Sequence, residues 1–299
     1  MIGLPPFACR PPAAFAGRPV SLATRHGKER VLARPFRHGL DLSLVLATGF
    51  DTDLLGTFSG ERPRPADALE TCRRKAEAGM DDTGLDLGLA SEGSFGPHPA
   101  LPWLTVGTEW LTFVDRREGL LIAESLVATR TNFDRRRVSP QDDIQDWLDR
   151  VGFPSHALIA SSHGGDGDGG SPGTPLIKGL RTHAALAEAM GRCARASSDG
   201  SVWLETDMRA HCNPTRRLAI RSLAFRLVRR IARPCPACGA PGWGRCDVRV
   251  GLPCSWCGHP TERLLAEVWG CVACAHREER PRPDGRLTAD PGDCPHCNP

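Results

Sequence analysis

The stretch that decides the fold of the C-terminal region is residues 235–297, where cysteines recur in four C-x-x-C pairs: Cys235-Pro-Ala-Cys238, Cys254-Ser-Trp-Cys257, Cys271-Val-Ala-Cys274 and Cys294-Pro-His-Cys297. Fifteen residues separate the first pair from the second, and nineteen separate the third from the fourth. Both gaps match the spacing of four-cysteine zinc sites. Two residues between cysteines let one tight turn direct two sulfurs at one ion, and Zn²⁺ takes four thiolates at tetrahedral corners. We therefore predict two structural zinc ions.

The spacing leaves the pairing of these cysteines open. The simplest arrangement is sequential: the first two pairs bind one ion and the last two bind the other. Its ligand sets are Cys235, Cys238, Cys254 and Cys257, and Cys271, Cys274, Cys294 and Cys297. In the crossed alternative the first pair joins the third. Cys246 lies outside the pairs, and a closed four-thiolate site leaves no position for a substrate, so both ions are structural.

The composition of the 299-residue chain predicts one large or two medium-sized domains with an ordinary packed core, since 40% of the residues are hydrophobic. The formal net charge of +3 is too small to indicate a nucleic-acid-binding protein. No apolar run approaches the ~18 residues of a membrane span, and the proline-rich N-terminus lacks a secretory pattern. We therefore expect a cytoplasmic protein with reduced thiols, which favours zinc over disulfides.

The pattern along the chain predicts three regions. Residues 1–18 are rich in proline and alanine and are expected to form a disordered tail. Residues 19–233 open with a β-α-β pattern over 20–47, which indicates an α/β fold with a mixed, mainly parallel sheet flanked by helices. Within this domain, residues 162–175 (SHGGDGDGGSPGTP) are expected to form a flexible insertion. A small double zinc-ribbon domain occupies residues 234–299.

Two segments at predicted strand ends carry candidate carboxylates. Residues 91–99 (Ser-Glu-Gly-Ser-Phe-Gly-Pro-His-Pro) follow a strand directly, and ligands bind at the carboxyl ends of parallel strands. Glu92 is there either a carboxylate suited to Mg²⁺ or an exposed residue of a Gly/Pro turn. Glu205 and Asp207 lie two apart at the end of another strand, so both should point to one face. Arg209 follows them near a helix start, where an anion can bind; a capped loop with solvated charges is the alternative.

A third segment, residues 24–29 (Thr-Arg-His-Gly-Lys-Glu), joins the first predicted strand to the first helix. Thr24 supplies a hydroxyl, Lys28 a cation and the helix start its backbone N–H groups, a combination that suits phosphate. The alternative is an ordinary strand-to-helix loop with a solvated lysine. The helix over residues 214–233 is rich in arginine and is either a solvated amphipathic helix or an anion-binding face.

Four motifs together resemble one family. They are residues 91–99, Glu-Thr-Asp-Met-Arg-Ala at 205–210, Asn-Pro-Thr-Arg at 213–216 and Cys-Pro-His-Cys-Asn-Pro at 294–299. The family is a bacterial one filed as a domain of unknown function, with an α/β body and a cysteine-rich zinc-ribbon tail. The resemblance covers about residues 20–299 and brings no known activity.

A more distant likeness concerns the N-terminal half. Thr24, Lys28, the helix over residues 66–78 with Lys75, and the strand before Glu92 are similar in order to the inosine-triphosphate pyrophosphatase-like fold. The likeness implies that the turn at Thr24 and Lys28 binds phosphates and that Glu92 serves a metal and a water. Lys28 comes one residue earlier than the lysine of that pattern. Glu92 occupies the place of a signature that contains two aspartates. The likeness is therefore one of fold.

Two functional hypotheses follow. The first is a Mg²⁺-dependent hydrolase of a phosphorylated substrate such as a nucleotide, in which the metal neutralises phosphate charge and orients a water. The carboxylates for Mg²⁺ are Glu92, Asp207 and Glu205. The residues for phosphate are Thr24, Lys28 and Arg209. The second is a non-enzymatic adaptor whose zinc ribbons bind a protein or nucleic acid partner; seven Arg against eight acidic residues in 235–299 favour protein.

Overall fold

The computed structural model describes residues 14–24, 26–49, 68–98, 100–163 and 174–298. The chain divides into two compact units: a body formed by residues 15–227, and a C-terminal unit that begins at residue 228.

The predicted tail and insertion fall largely outside the described residues. The C-terminal end of the predicted tail, however, is folded. Phe15 is fully buried and packs edge to face on Phe113, with the ring centroids 5.3 Å apart. Residues 15–18 therefore belong to the body, because an aromatic side chain buried this deeply holds the backbone around it in place.

The first sheet of the body has five strands and carries two helices. Its elements are β1 (Pro19–Ala23), α1 (Glu29–Leu40), β2 (Ser43–Ala47), α2 (Ala68–Thr83), β3 (Leu87–His98), β4 (Leu101–Asp115) and β5 (Leu120–Ala128). The strand order is β2-β1-β3-β4-β5. β1 is parallel to both of its neighbours, whereas β3, β4 and β5 pair antiparallel. The predicted mixed sheet with flanking helices is confirmed, with the parallel pairing confined to β1 and its two neighbours.

The β1-α1-β2 unit follows from its apolar pattern. Leu32, Phe36 and Leu40 recur at four-residue steps, so they lie on one face of α1, and all three are fully buried. Their burial keeps the helix intact through Pro35, which lacks a backbone N–H. Asp41 then adopts the left-handed conformation, with φ 54°, and ends α1.

β3 continues through the segment that we predicted to be a turn. It pairs with β4 from Leu87 opposite Asp115 to Pro97 opposite Thr105, so residues 91–98 are strand. Side chains alternate along a strand, so Glu92 faces α2, from which Lys75 donates a hydrogen bond to it. Residues 91 and 93 face the opposite side of the sheet.

The second sheet of the body is antiparallel and has four strands in the order β6-β9-β7-β8. Its region contains β6 (Arg135–Val138), α3 (Gln145–Val151), β7 (Leu158–Ser161), β8 (Leu176–Leu180), α4 (His183–Ala196), β9 (Val202–Thr206) and α5 (Pro214–Ile231). Trp147, Leu158 and Leu204 are among the buried residues of its core. Asn213 caps α5, since its Oδ1 accepts a hydrogen bond from the Arg216 backbone N–H at 2.9 Å.

The C-terminal unit contains one small antiparallel sheet. Its strands are β10 (Gly244–Val250), β11 (Leu264–Gly270) and β12 (Arg277–Pro281), and β11 lies in the middle. Its buried apolar side chains include Trp243, Leu252 and Ala266, which make a small core. A unit of this size needs a further source of stability, such as bound metal.

Candidate functional site

The eight paired cysteines form two tetrads in the C-terminal unit. The first tetrad is Cys235, Cys238, Cys271 and Cys274, and the second is Cys254, Cys257, Cys294 and Cys297. Within each tetrad all ligand atoms lie within 4.8 Å of one another. Of the two arrangements that the spacing left open, the sequential one is not observed; the crossed one, in which the first pair joins the third, is. The two tetrads are thus interleaved along the chain.

The tetrads have the dimensions of a zinc site. The Sγ–Sγ distances across the first tetrad are 3.9 Å for Cys235–Cys274 and 3.7 Å for Cys238–Cys271. The matching distances in the second tetrad are also 3.9 and 3.7 Å. Four sulfurs ~2.3 Å from a tetrahedral ion stand roughly 3.8 Å apart. Each tetrad could therefore hold one zinc ion.

Local backbone geometry directs each pair of sulfurs. After Cys235, the chain makes a tight turn in which the Gly239 N–H donates to the Cys235 carbonyl at 2.9 Å, with φ 75° at Gly239. Gly258 repeats this turn after Cys254, with φ 72°, a conformation that favours glycine. The backbone N–H groups of Cys257 and Trp256 lower the pKa of the Cys254 thiol to about 7. This favours the thiolate, the form that binds metal.

Cys246 takes no part in either tetrad. It is exposed on β10, and its thiol donates a weak hydrogen bond to the Val268 carbonyl at 3.5 Å. It is the spare cysteine that the spacing had placed outside the pairs.

A second candidate site lies in the body, at the carboxyl end of β1, where the pairing of β1 with β3 stops. From β1 the chain passes through α1 to β2 on one side, while β3 lies on the other side. Ligands of α/β proteins bind at such switch points, outside the carboxyl end of a strand. The last paired residues are Ala23 and Ala90, after which Thr24 leaves the sheet and β3 continues through Ser91.

The structure brings parts of all three predicted segments together at this point. Lys28 donates from Nζ to the Ser91 carbonyl at 3.0 Å, which joins the first segment to β3. The rings of His26 and His211 lie 5.6 Å apart, which joins it to the segment before α5. We call this group the β1–β3 cluster. Its members are Thr24, His26, Lys28, Ser91, Glu109, Arg209, His211 and Arg216.

Arg216 is held in the cluster by buried partners. It donates to Glu109 from Nε at 2.6 Å and from Nη2 at 3.2 Å, and to the Met208 carbonyl from Nη1 at 2.6 Å. Both charged side chains are almost fully buried. A Cβ at Gly93 would lie 2.4 Å from Arg216 Nη2, so only glycine leaves room for the guanidinium.

Among the described residues, no carboxylate accepts a hydrogen bond from Lys28, because the carboxylates nearby are bonded to other cations. Arg216 binds Glu109 and Arg209 binds Asp207, whereas the hydrogen bond of Lys28 goes to a neutral carbonyl. Burial and the nearby Arg216 lower the pKa of Lys28 to about 8, so the amine is still mostly protonated at pH 7. The cluster therefore contains a buried cation that an anionic ligand would neutralise.

Two histidines and two hydroxyls complete the cluster. Burial, together with the charge of Lys28, lowers the pKa of His26 to about 4, and burial also lowers the pKa of His211. Both rings are therefore neutral at pH 7. The Thr24 Oγ1 and Ser91 Oγ atoms are buried and have no hydrogen-bond partner within the described part of the chain. Because buried hydroxyls are normally satisfied, the two can accept or donate bonds to a ligand.

Two of the carboxylates that we predicted to hold Mg²⁺ already form ion pairs with basic side chains. Glu92 accepts a hydrogen bond from Lys75, and both side chains are buried. Asp207 is fully buried and accepts from Arg209 Nη2 at 2.6 Å. Burial raises the pKa of Asp207, but the hydrogen bonds and charge of Arg209 outweigh it and hold the pKa below its usual value.

The third predicted carboxylate lies elsewhere. Glu205 is half-buried in β9, in register with Arg135 and Ile159, whereas Asp207 lies beyond the end of that strand. Among the described residues, only the two cysteine tetrads bring three or more possible metal ligands together. The predicted Mg²⁺ site at Glu92, Asp207 and Glu205 is therefore not found there.

The sequence pattern predicts no role for Glu109, and it places Arg216 only within the arginine-rich helix. A signal for Glu109 was available: it is the one charged residue within residues 101–114, an otherwise uncharged strand sequence. A buried charge in such a strand requires a partner. The identity of that partner, 107 positions later in the chain, could not be read from local pattern.

The fold and the tetrads define an α/β protein with a mixed sheet, flanking helices and a C-terminal domain consistent with a double zinc ribbon. The family model described as domain of unknown function (DUF6671) matches residues 75–299, well over half of the chain. The protein belongs to this family.

No curated protein and no solved structure matches the chain. These comparisons therefore do not support the likeness to the inosine-triphosphate pyrophosphatase-like fold. The family match also does not show that the chain is bacterial. Within the part of the chain that the structure describes, no helix has both the length and the hydropathy to cross a membrane.

Proposed function

We propose that the body binds a phosphorylated small molecule at the β1–β3 cluster and acts on it as an enzyme. The observation that carries this proposal is Lys28, a buried cation next to the start of α1 whose hydrogen bond goes to a carbonyl. A phosphate oxygen would supply the missing negative charge. Helix N-termini favour phosphate because their backbone N–H groups and dipole attract negative charge.

The other members of the cluster fit this ligand. Thr24 and Ser91 offer buried hydroxyls for phosphate oxygens. Arg209, which we predicted to bind phosphate directly, is bonded to Asp207 and adds no surplus charge. The neutral ring of His26 could accept a hydrogen bond from an attacking water and so help to orient it. Hydrolysis of a phosphoanhydride or phosphate ester is accordingly the reaction to test first.

Any Mg²⁺ in this reaction would be carried by the phosphate groups of the substrate, because Glu92 and Asp207 already bind Lys75 and Arg209. We further propose that each tetrad holds a structural Zn²⁺. A site closed by four thiolates has no open position for chemistry, so its contribution is to fold the C-terminal unit.

The test compares Lys28→Met with Lys178→Met. Lys178 lies in β8, outside the cluster, and serves as the matched control. Calorimetric titration with inorganic pyrophosphate measures binding, and phosphate release from nucleoside triphosphates, with and without Mg²⁺, measures turnover. We expect wild type and Lys178→Met to bind, and Lys28→Met to bind at least tenfold more weakly. Equal binding by all three would show that the site is wrong, and binding without release would exclude hydrolysis.

The adaptor hypothesis has its own supporting observation in the C-terminal unit. Trp256 is 79% exposed, between two cysteines of the second tetrad, and Leu287 is 83% exposed. The Ser255 N–H donates to the Ala289 carbonyl at 3.0 Å, which brings the two segments side by side. Exposed tryptophan is common at protein–protein interfaces.

The matched control for this surface is Trp103, which is 82% exposed in the body. A partner captured by wild type and Trp103→Ala but lost by Trp256→Ala would support the adaptor hypothesis once the purified partner binds in the same order. Equal capture by the two variants would count against it.

A further inference from the structure

Lysine is rare in this chain and concentrated in one place. Of 38 basic residues, only Lys28, Lys75 and Lys178 are lysines, which leaves 38 − 3 = 35 arginines. Two of the three, Lys28 and Lys75, are buried near β3, where each donates to a residue of that strand. A chain that otherwise supplies positive charge with arginine therefore uses lysine in this buried region.

The two residue types differ in chemistry. An arginine guanidinium stays protonated in proteins, whereas a lysine amine can lose its proton when it is buried and so become a nucleophile. Desolvation and a neighbouring cation are the two conditions that activate a lysine in this way. Lys28 meets both, since it is 8% exposed and the charge of Arg216 acts on it.

Lys28 and Lys75 are not equivalent. Lys75 donates a hydrogen bond to the Glu92 carboxylate, so its ammonium group already has an anionic partner. Lys28 donates to the Ser91 carbonyl, and the other nearby carboxylate, that of Glu109, is bound by Arg216. The Ser91 and Thr24 hydroxyls are buried and have no hydrogen-bond partner among the described residues, and they directly follow the last paired residues of β3 and β1.

We propose that Lys28 is a nucleophilic amine that forms a Schiff base with a phosphorylated aldehyde or ketone. This inference rests on the proposed function, because phosphate bound at the start of α1 would place the rest of the ligand beside Nζ. In this proposal the Lys28 amine, rather than a water molecule, attacks the ligand bound at the β1–β3 cluster.

The step balances without an oxidant or a cofactor. The lone pair of neutral Nζ attacks the carbonyl carbon, and the C–O π bond breaks to give a carbinolamine. Both Nζ hydrogens leave with the carbonyl oxygen as water, and a C=N bond forms. In this proposal the Thr24 and Ser91 hydroxyls, which belong to the same cluster, hydrogen-bond the departing oxygen. Burial of the cluster keeps out the bulk water that would hydrolyse the imine.

The electrostatics support a reactive amine near neutral pH. Burial, Arg216 and Lys75 lower the pKa of Lys28, while Glu92 and Glu109 raise it, and the result is about 8. A lysine with this pKa has a useful fraction of neutral amine at pH 8, where an ordinary lysine is almost entirely protonated.

The experiment traps the imine in the full-length protein. The probes are two phosphorylated aldehydes, glycolaldehyde phosphate and pyridoxal 5′-phosphate, each followed by borohydride reduction and site-resolved peptide mass spectrometry. We expect at least tenfold more adduct on Lys28 than on Lys178 with either probe, and loss of the Lys28 adduct when excess inorganic pyrophosphate competes. Pyridoxine 5′-phosphate, which has an alcohol in place of the aldehyde, is the matched control and should give no adduct.

Two readouts in wild type separate this inference from the proposed function, because pyrophosphate binding reports the phosphate site and the trapped adduct reports the amine. Lys28→Arg removes the reactive amine and should give no trapped product at residue 28. Pyrophosphate binding by wild type with no Lys28 adduct would overturn the Schiff base alone. If wild type showed neither pyrophosphate binding nor a Lys28 adduct, the proposed phosphate site would be wrong as well. Equal labelling of Lys28 and Lys178 would show ordinary amine reactivity and would also overturn the inference.

Discussion

The cysteine tetrads and the β1–β3 cluster are both assembled from distant parts of the chain, but they are assembled differently. Each tetrad joins two C-x-x-C turns, and each turn directs its own two sulfurs whatever surrounds it. The β1–β3 cluster joins single side chains from the segment between β1 and α1, from β3 and β4, and from α5 and the residues before it, and contacts between these elements position them. A site made of locally formed turns can be recognised in the sequence, whereas a site made of single residues depends on the packing of the whole body.

The largest effect that we expect comes from breaking one tetrad. Cys238→Ser should remove the zinc of the first tetrad and also that of the second, because the interleaved pairs restrain each other's loops. Structural zinc sites contribute about 10–16 kcal/mol in small zinc domains, so the C-terminal unit should unfold. Elemental analysis should find two zinc ions in wild type and fewer than one in the variant.

Cys246→Ser is the control, since Cys246 lies outside both tetrads, and it should keep both ions. One zinc ion retained in a folded Cys238→Ser protein would show that the two tetrads are independent.

The next effect concerns the charges of the β1–β3 cluster. Glu109→Gln leaves the Arg216 guanidinium buried without its carboxylate, which should cost about 3–5 kcal/mol of unfolding free energy. Glu77→Gln removes a half-exposed partner of Arg73 on α2 and should cost about 0.5 kcal/mol or less. Urea denaturation of both variants measures the difference, and similar losses would show that the buried pair has no special weight.

A smaller effect should follow from adding one methyl group to β3. A Cβ at Gly93 would meet Arg216 and Glu109, with the closest atoms at 2.4 and 2.8 Å, so Gly93→Ala should cost about 1–3 kcal/mol. Gly96 lies in the same strand with nothing within 4 Å, so Gly96→Ala should change stability by less than about 0.5 kcal/mol. Thermal unfolding should rank the two, and a ranking in reverse would mean that the cluster adjusts around the new group.

The smallest expected effect is a dependence on pH. The pKa of His26 is about 4 in the folded protein against 6.5 for an ordinary histidine, so the unfolded chain binds the extra proton between these values. Stability from this group is therefore complete above pH 6.5 and is lost as the pH falls towards 4. His26 is partly exposed, and solvent screening reduces its contribution to the order of 1 kcal/mol.

Urea midpoints at pH 5 and 7 measure this dependence. His26→Gln should flatten it, and His38→Gln, which replaces an exposed histidine of α1, should leave it unchanged. An equal slope in wild type and His26→Gln would assign the dependence to other groups, such as His156 and His211, whose pKa values are also lowered.

Much of the fold could be predicted from the sequence, because apolar periodicity and helix caps are local signals. The β1-α1-β2 unit appears where its pattern indicates. The length of β3 could not be predicted, because Gly93, Gly96 and Pro97 read as a turn. They lie in a strand because β4 pairs with them along its length and Arg216 requires the space at Gly93.

The sequence by itself determined the eight cysteines of the two tetrads, because two residues between cysteines suffice to direct two sulfurs to one point. It also marked residues 24–29 and 205–214 as charged strand ends. Only the tertiary structure decided that the first cysteine pair meets the third, that Glu92 and Asp207 are occupied by cations, and that Lys28 lacks a carboxylate acceptor. The physical reason is the range of each interaction: a turn is closed by neighbouring residues, whereas the partner of a buried charge is chosen by the packing of elements far apart in the chain.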